Sequence, residues 1–162
     1  MPELICDTSA LQYLHQLGLL HILTALAEQV TVPSGVVAEL TEGRLRGIDV
    51  PELSEFDWLS VRSPTSTVSL PQARDLGEGE TEVLTLALES ADAVAVLDDR
   101  LARNVADELG LWFTGTLGLL IDAKRKGLVS EVKPLLDRLQ LLHFRLSRAT
   151  RAAVLRLAGE VE

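Results

Sequence analysis

The sequence predicts an α/β protein in which a mainly parallel, twisted sheet of four to five strands is covered by helices on both faces. Three observations carry this reading. Short apolar runs of strand length (ELIC, QVTVP, AVAVL, LWF) alternate with longer segments of helical periodicity. The AVAVL and LWF runs are apolar throughout rather than alternating, as strands buried on both faces require. Helix start and stop signals lie between the runs, so each strand feeds a helix in turn. In such sheets crossovers are right-handed, and the site lies outside the carboxyl ends of the strands.

The elements follow in order. Residues 3–6 form the first strand, ending at Asp7, and Thr8 or Ser9 is placed to cap a helix reaching about Leu17. Gly18 breaks that helix, and LLHILTALAE forms a second. QVTVP is a β-branched strand stopped by Pro33. Ser34 caps the helix GVVAELTEGRLR, which ends at Gly47. Residues 48–76 make an irregular connection with a further strand at WLSVR. GEGETEVLTLALES is a helix with acidic residues in its first turn, as the helix dipole favours. The strand AVAVL, the helix DRLARNVADEL stopped by Gly110, and the strand LWF come next. GTLGLLIDAKRK closes on basic residues and Gly127. VSEVKPLLDRLQLL and SRATRAAVLRLAG add two terminal helices. The chain, 1–162, reads as one domain, with a core over 1–129 and a helical extension over 130–162.

Apolar residues are 47% of the chain and aromatics 4%, so the core is built from Leu, Val, Ala and Ile. That excludes a disordered chain. The single cysteine, Cys6, reads as a small buried hydrophobe and fits a reducing cytoplasm. Glu3 and Asp7 stand where a secretory signal would need basic and apolar residues. The longest apolar stretch, LGLLHILTALA, is too short to span a bilayer, so no membrane partner is expected. Residues 11–27 offer an apolar face for a homodimer. The net charge of −9 argues against nonspecific wrapping of nucleic acid on a basic surface. The charge is uneven: residues 1–82 carry thirteen acidic side chains against four arginines, whereas residues 83–162 balance eleven against eleven. Solubility explains an acidic excess, and so do bound cations that a formal count omits.

Acidic residues gather at the predicted site edge. Asp7 follows the first strand, Asp98 and Asp99 follow AVAVL, and Thr114-Gly115-Thr116 follows LWF. Glu39 borders the apolar face of its helix near the start. On the GEGETE helix, Glu80 shares a face with Val83, Leu84 and Ala87 and so points toward the sheet. Glu82 aligns with Thr85, Leu86 and Glu89 on a more solvated face, and Glu78 lies at the cap. Each group alone has a plain structural use: Asp-Asp after a strand is an ordinary helix N-cap, as is DTS. Together they place several carboxylates on one edge, and these cannot all stay ionised without a positive partner. A hard divalent cation, Mg²⁺ or Mn²⁺, resolves this, with Asp7, Glu80, Asp98 and Asp99 as ligands. Three scattered histidines and one cysteine supply no zinc site. An open acidic site of this kind serves phosphate chemistry. Nearby hydroxyls, Thr8, Ser9, Thr114 and Thr116, are placed to orient a phosphate or metal-bound waters.

These segments together resemble the PIN-domain family. The resemblance rests on DTSAL near the start, VPSGVVAEL after the second strand, LGEGE opening a central helix, VLDDRLAR, and a Thr-Gly-Thr turn before a helix ending KRKG. It covers nearly the whole chain. It implies an α/β/α sandwich and Mg²⁺- or Mn²⁺-dependent cleavage of RNA phosphodiesters. It also implies kinship with toxins of toxin–antitoxin pairs, often dimers held by a small antitoxin. The family's acidic positions fall on Asp7, Glu39, Glu80 (usually Asp) and Asp99, with Asp98 in place of a commoner Thr or Asn. The alternative is a PIN-like module that binds nucleic acid or protein without cutting. A phosphoacceptor receiver fits less well, because its paired acids follow the first strand.

The remaining candidates have plainer readings. His15, His21 and His143 lie in apolar helical surroundings as packing or surface residues. Trp58 and Trp112 read as core rather than base-stacking residues. Arg100, Arg103, Lys124, Arg125 and Lys126 are candidate contacts to RNA phosphates. Arg138, Arg145, Arg148, Arg151 and Arg156 mark amphipathic C-terminal segments, read as a protein contact surface.

Overall fold

A computed structural model describes residues 2–65 and 70–162; residues 66–69 of the irregular connection lie outside the described residues. Five strands form one sheet: β1 (Glu3–Cys6), β2 (Gln29–Pro33), β3 (Leu59–Arg62), β4 (Ala93–Val96) and β5 (Trp112–Thr114). Their order is β3-β2-β1-β4-β5, and every pairing is parallel. The helices are α1 (Thr8–Gln16), α2 (Leu23–Leu26), α3 (Ser34–Leu45), α4 (Glu78–Glu89), α5 (Arg100–Glu108), α6 (Thr116–Arg125), α7 (Lys133–Leu141) and α8 (Arg148–Leu157). The architecture is the expected α/β/α sandwich with a five-stranded sheet, β3 included. The chain leaves β1 toward β2 and leaves β4 toward β5. The sheet therefore has its switch point between β1 and β4, where open α/β sheets bind ligands.

Burial explains the strand sequences. Ile5, Cys6, Ala95, Val96 and Leu97 at the sheet centre are fully buried, which is why neither strand shows a polar alternation. The core continues into the C-terminal extension. Leu136 and Leu139 of α7 and Val154 and Leu155 of α8 join the same buried cluster. Those apolar sides are therefore covered by the chain itself, and the basic residues beside them are partly committed. Arg138 donates to the carbonyls of Leu17 and Gln16, and Arg151 pairs with Asp137 and Glu162.

Several expectations are corrected. Asp7, not Thr8 or Ser9, holds the N-cap position of α1, and Pro33, not Ser34, that of α3. The segment after Gly18 (φ +72°) is not one helix: a 3₁₀ turn at Leu20–Ile22 leads into the single turn of α2. The apolar side of stretch 11–27 faces inward: Leu11, Leu14, Leu17, Leu20, Ile22, Leu23 and Leu26 are buried within the chain. Trp112 is not core: it lies on the three-residue edge strand β5 and is 77% exposed. Among the described residues no helix is long and apolar enough to cross a membrane.

Candidate active site

The register of β1 against β4 builds the centre of the site. Cys6 pairs with Val96, and the Asp7 backbone N–H donates to the Val96 carbonyl at 3.1 Å. The residues that follow each strand, Asp7 and Asp98-Asp99, therefore emerge side by side at the switch point. Helices α3 and α4 bring Glu39 and Glu80 to the same place. All five carboxylates line one cavity of about 490 Å³.

Three of them are held through side-chain hydroxyls or helix N–H groups, and Glu80 Oε1 accepts from the Gly77 N–H at 3.4 Å. Asp98 Oδ1 accepts from the Thr116 N–H (2.8 Å), and its Oδ2 accepts from the hydroxyls of Thr116 (2.7 Å) and Ser9 (3.0 Å). Glu39 Oε2 accepts from the Thr8 hydroxyl at 2.7 Å, and its Oε1 from the Gly79 N–H at 2.8 Å. Asp99 Oδ2 caps α5 by accepting from Ala102 N–H at 3.0 Å. The hydroxyls of Thr8, Ser9 and Thr116 each donate to a carboxylate of the site. Thr114 does not line the acidic cavity; it borders a neighbouring one.

Asp7 and Glu80 differ. Asp7 is 6% exposed, yet its Oδ1 has no hydrogen-bond partner, and neither does the buried Glu80 Oε2. Among the described residues these are the buried side-chain polar atoms so left. Burial pushes the Asp7 carboxyl up to about 7; the Thr8 backbone N–H opposes this, and Glu80, Glu39 and Asp98 reinforce it. The Glu80 carboxyl is also raised, first by burial and then by Asp99 beside it. A buried, unpaired carboxylate is costly unless it is protonated or meets a cation.

A divalent cation suits this donor set. Among the described residues no three His, Cys, Asp or Glu side chains are already gathered so as to hold an ion. Mg²⁺, however, keeps several waters and needs only one or two protein carboxylates. The orphaned oxygens of Asp7 and Glu80, with Asp99 adjacent, meet that need. Asp98 already accepts from three donors, which fix it as part of the wall; its Oδ1 takes only one of them.

Sequence reasoning also missed how α3 and α4 are joined. Glu82 is half-buried and engaged: its Oε1 accepts from Ser34 Oγ and Gly35 N–H, both at 3.0 Å. Glu39 of α3 therefore caps the start of α4, while Glu82 of α4 caps the start of α3. Each carboxylate meets free N–H groups and the positive end of a dipole. Both exchanges need glycine. A Cβ at Gly35 would stand 2.8 Å from Glu82 Oε2, and one at Gly79 would strike the Glu39 carboxylate. A glycine second in each helix was the available signal. No signal existed for Gln12, Tyr13, His143, Phe144 and Arg145, which also line the cavity.

The structure does not bring all the predicted basic residues here. Lys124, Arg125 and Lys126 lie at the far end of α6, about 13 Å along its axis from Thr116. Lys124 pairs with Glu160 (2.8 Å), Arg125 with Asp122 (3.7 Å), and Lys126 donates to the Ala25 carbonyl (3.1 Å). Arg103 donates to the Leu97 carbonyl at 2.9 Å and stacks 5.0 Å over the Phe113 ring. Arg100 is exposed on the first turn of α5. His143 is not helical; it follows α7 with a left-handed backbone.

The family model for the PIN domain matches residues 3–160. No curated protein matches the chain in sequence.

Proposed function

Since the chain belongs to the PIN-domain family, a family of nuclease-like proteins, we propose that it is a Mg²⁺- or Mn²⁺-dependent endoribonuclease. One observation carries this: two buried carboxylate oxygens, on Asp7 and Glu80, lack partners in an acidic cavity at the sheet's switch point. Asp7, Glu80 and Asp99 would hold the cation. When bound, it polarises a phosphoryl oxygen and lowers the pKa of an attacking water. The protein's own work is preorganisation. Thr116 and Ser9 fix Asp98, Thr8 and Gly79 fix Glu39, and the Ala102 N–H fixes Asp99. Hydrogen-bonded carboxylates on the walls leave the orphaned oxygens of Asp7 and Glu80 to meet a ligand. Removal of one orphan tests this. Asp7→Asn should abolish metal-dependent RNA cleavage and the rise in melting temperature that Mg²⁺ gives the wild type, while the variant stays folded. Full cleavage by purified Asp7→Asn would remove the assignment.

A second reading is a module that binds RNA or protein without cutting. It draws on Glu39 and Asp98, whose oxygens are filled by protein donors. Metal stabilisation without cleavage of any RNA in a mixed pool would favour it. The family also makes the toxin of a toxin–antitoxin pair, acting as a homodimer with a small antitoxin, part of the nuclease proposal. Co-purification with the product of an adjacent reading frame tests that part.

A further inference from the structure

One wall of the acidic cavity comes from neither a strand end nor the α3–α4 seam. His143, Phe144 and Arg145, from the connection between α7 and α8, form it. Their placement is fixed from both sides. The His143 N–H donates to the Gln140 carbonyl and the Phe144 N–H to the Leu139 carbonyl, closing α7 in a Schellman motif. The residue at the left-handed position of that motif is His143, φ +69°. Among the described residues every other positive φ belongs to glycine. The Phe144 ring then packs edge-on against Tyr13 of α1, centroids 5.0 Å apart.

Arg145 is exposed at this wall and makes no hydrogen bond or ion pair with a described residue. It borders a second cavity of about 280 Å³ as well, lined also by Arg103, Thr114, Gly115 and Thr150. Asp98, Phe144 and Arg145 are common to both cavities and form the ridge between them. A phosphodiester seated at Asp7 and Glu80 and continuing over the ridge would bring a neighbouring phosphate past Asp98, which repels it. Arg145 is the cation on the ridge able to offset that repulsion, and a guanidinium suits phosphate oxygens.

We propose that Arg145 contacts the phosphate next to the scissile one, and that the RNA strand leaves the carboxylates across the Asp98–Phe144 ridge into the second cavity. This rests on the nuclease reading above. It makes the C-terminal extension part of the substrate site and Arg145 a positioning residue.

The test is binding of a labelled single-stranded RNA oligonucleotide to Asp7→Asn protein, which should not cut it. Adding Arg145→Ala should weaken binding roughly 5- to 10-fold and lower the salt slope of the affinity by about one. Arg145→Lys should retain most of the affinity. In the active protein, Arg145→Ala should raise KM for RNA and leave kcat nearly unchanged. Its melting temperature should match the parent's, as the residue is exposed. Unchanged affinity and slope would overturn the proposal, and so would an equal loss from Arg125→Ala at the far end of α6. A wild type that cuts RNA while Arg145→Ala behaves identically sinks this inference alone. A wild type that neither binds nor cuts RNA sinks the nuclease reading, and this one with it.

Discussion

The two ends of α6 carry opposite charge, and the protein treats them differently. At the start of the helix, Thr116 holds Asp98, one of five carboxylates lining a cavity, and two of the buried carboxylate oxygens there have no partner. At its end, Lys124, Arg125 and Lys126 each find a partner within the chain: Glu160, Asp122 and the Ala25 carbonyl. A charge run is thus weak evidence of a site, because a fold can satisfy it internally. Charge that the fold gathers, buries and leaves unsatisfied is stronger evidence, since its cost has no structural return. The α3–α4 seam sits between these extremes. Glu39 and Glu82 are acidic and partly buried, yet backbone N–H groups and hydroxyls fill them.

The comparison breaks most sharply at Glu80. If its orphaned oxygen serves a cation, Glu80→Gln keeps the shape and removes the charge. Several kcal/mol of transition-state stabilisation are at stake, so RNA cleavage should fall at least about 100-fold. Steady-state cleavage of a labelled RNA checks it. Less than a twofold loss would place Glu80 with the structural carboxylates.

The next largest effect belongs to the seam and should be structural alone. Glu82→Ala leaves the Gly35 N–H and Ser34 hydroxyl without their acceptor. A lost helix cap and an unpaired donor destabilise by about 1–2 kcal/mol. Chemical denaturation should register this. The rise in melting temperature on adding Mg²⁺ should stay as in the wild type. Loss of that rise would put Glu82 inside the metal site.

The same contrast explains what the sequence could reveal. The parallel sheet and its helices were legible because ELIC and AVAVL are buried on both faces and Gly18, Gly110 and Gly127 punctuate the chain. Asp7 and Asp98-Asp99 were legible because a strand end is a fixed place in such a sheet. Glu80 was separable from Glu82 by helical spacing alone, since it shares a face with Val83 and Leu84. The same spacing misjudged Glu82, because periodicity shows which way a side chain points and not what another helix presents there. Nor does it show which oxygens the neighbours fill. Asp98 and Asp99 are alike in sequence, yet Asp98 takes three protein donors and Asp99 one. The Tyr13–Phe144 contact and Arg145 depend on the path of a C-terminal connection that carries no motif.

The smallest expected effect is a pH dependence confined to the floor of the site. Without metal, the Asp7 carboxyl is raised from 3.8 to about 7, chiefly by burial. Its folded pKa lies above its unfolded one, so between these values the native state binds more protons than the unfolded chain. Metal-free stability contributed by Asp7 is therefore full below about pH 4 and declines as pH rises toward and through about 7. A cation needs the deprotonated carboxylate, so its binding strengthens over the same window. The Mg²⁺-induced rise in melting temperature should be a few degrees larger at pH 8 than at pH 5.5, since about 1 kcal/mol moves the midpoint of a domain this size by roughly 2–4 °C. Thermal scans with and without Mg²⁺ at both pH values measure it, with Asp7→Asn as the control that should flatten the difference. A rise equal at both pH values in the wild type would mean that Asp7 does not face the ion, and the orphaned oxygen would then need another explanation.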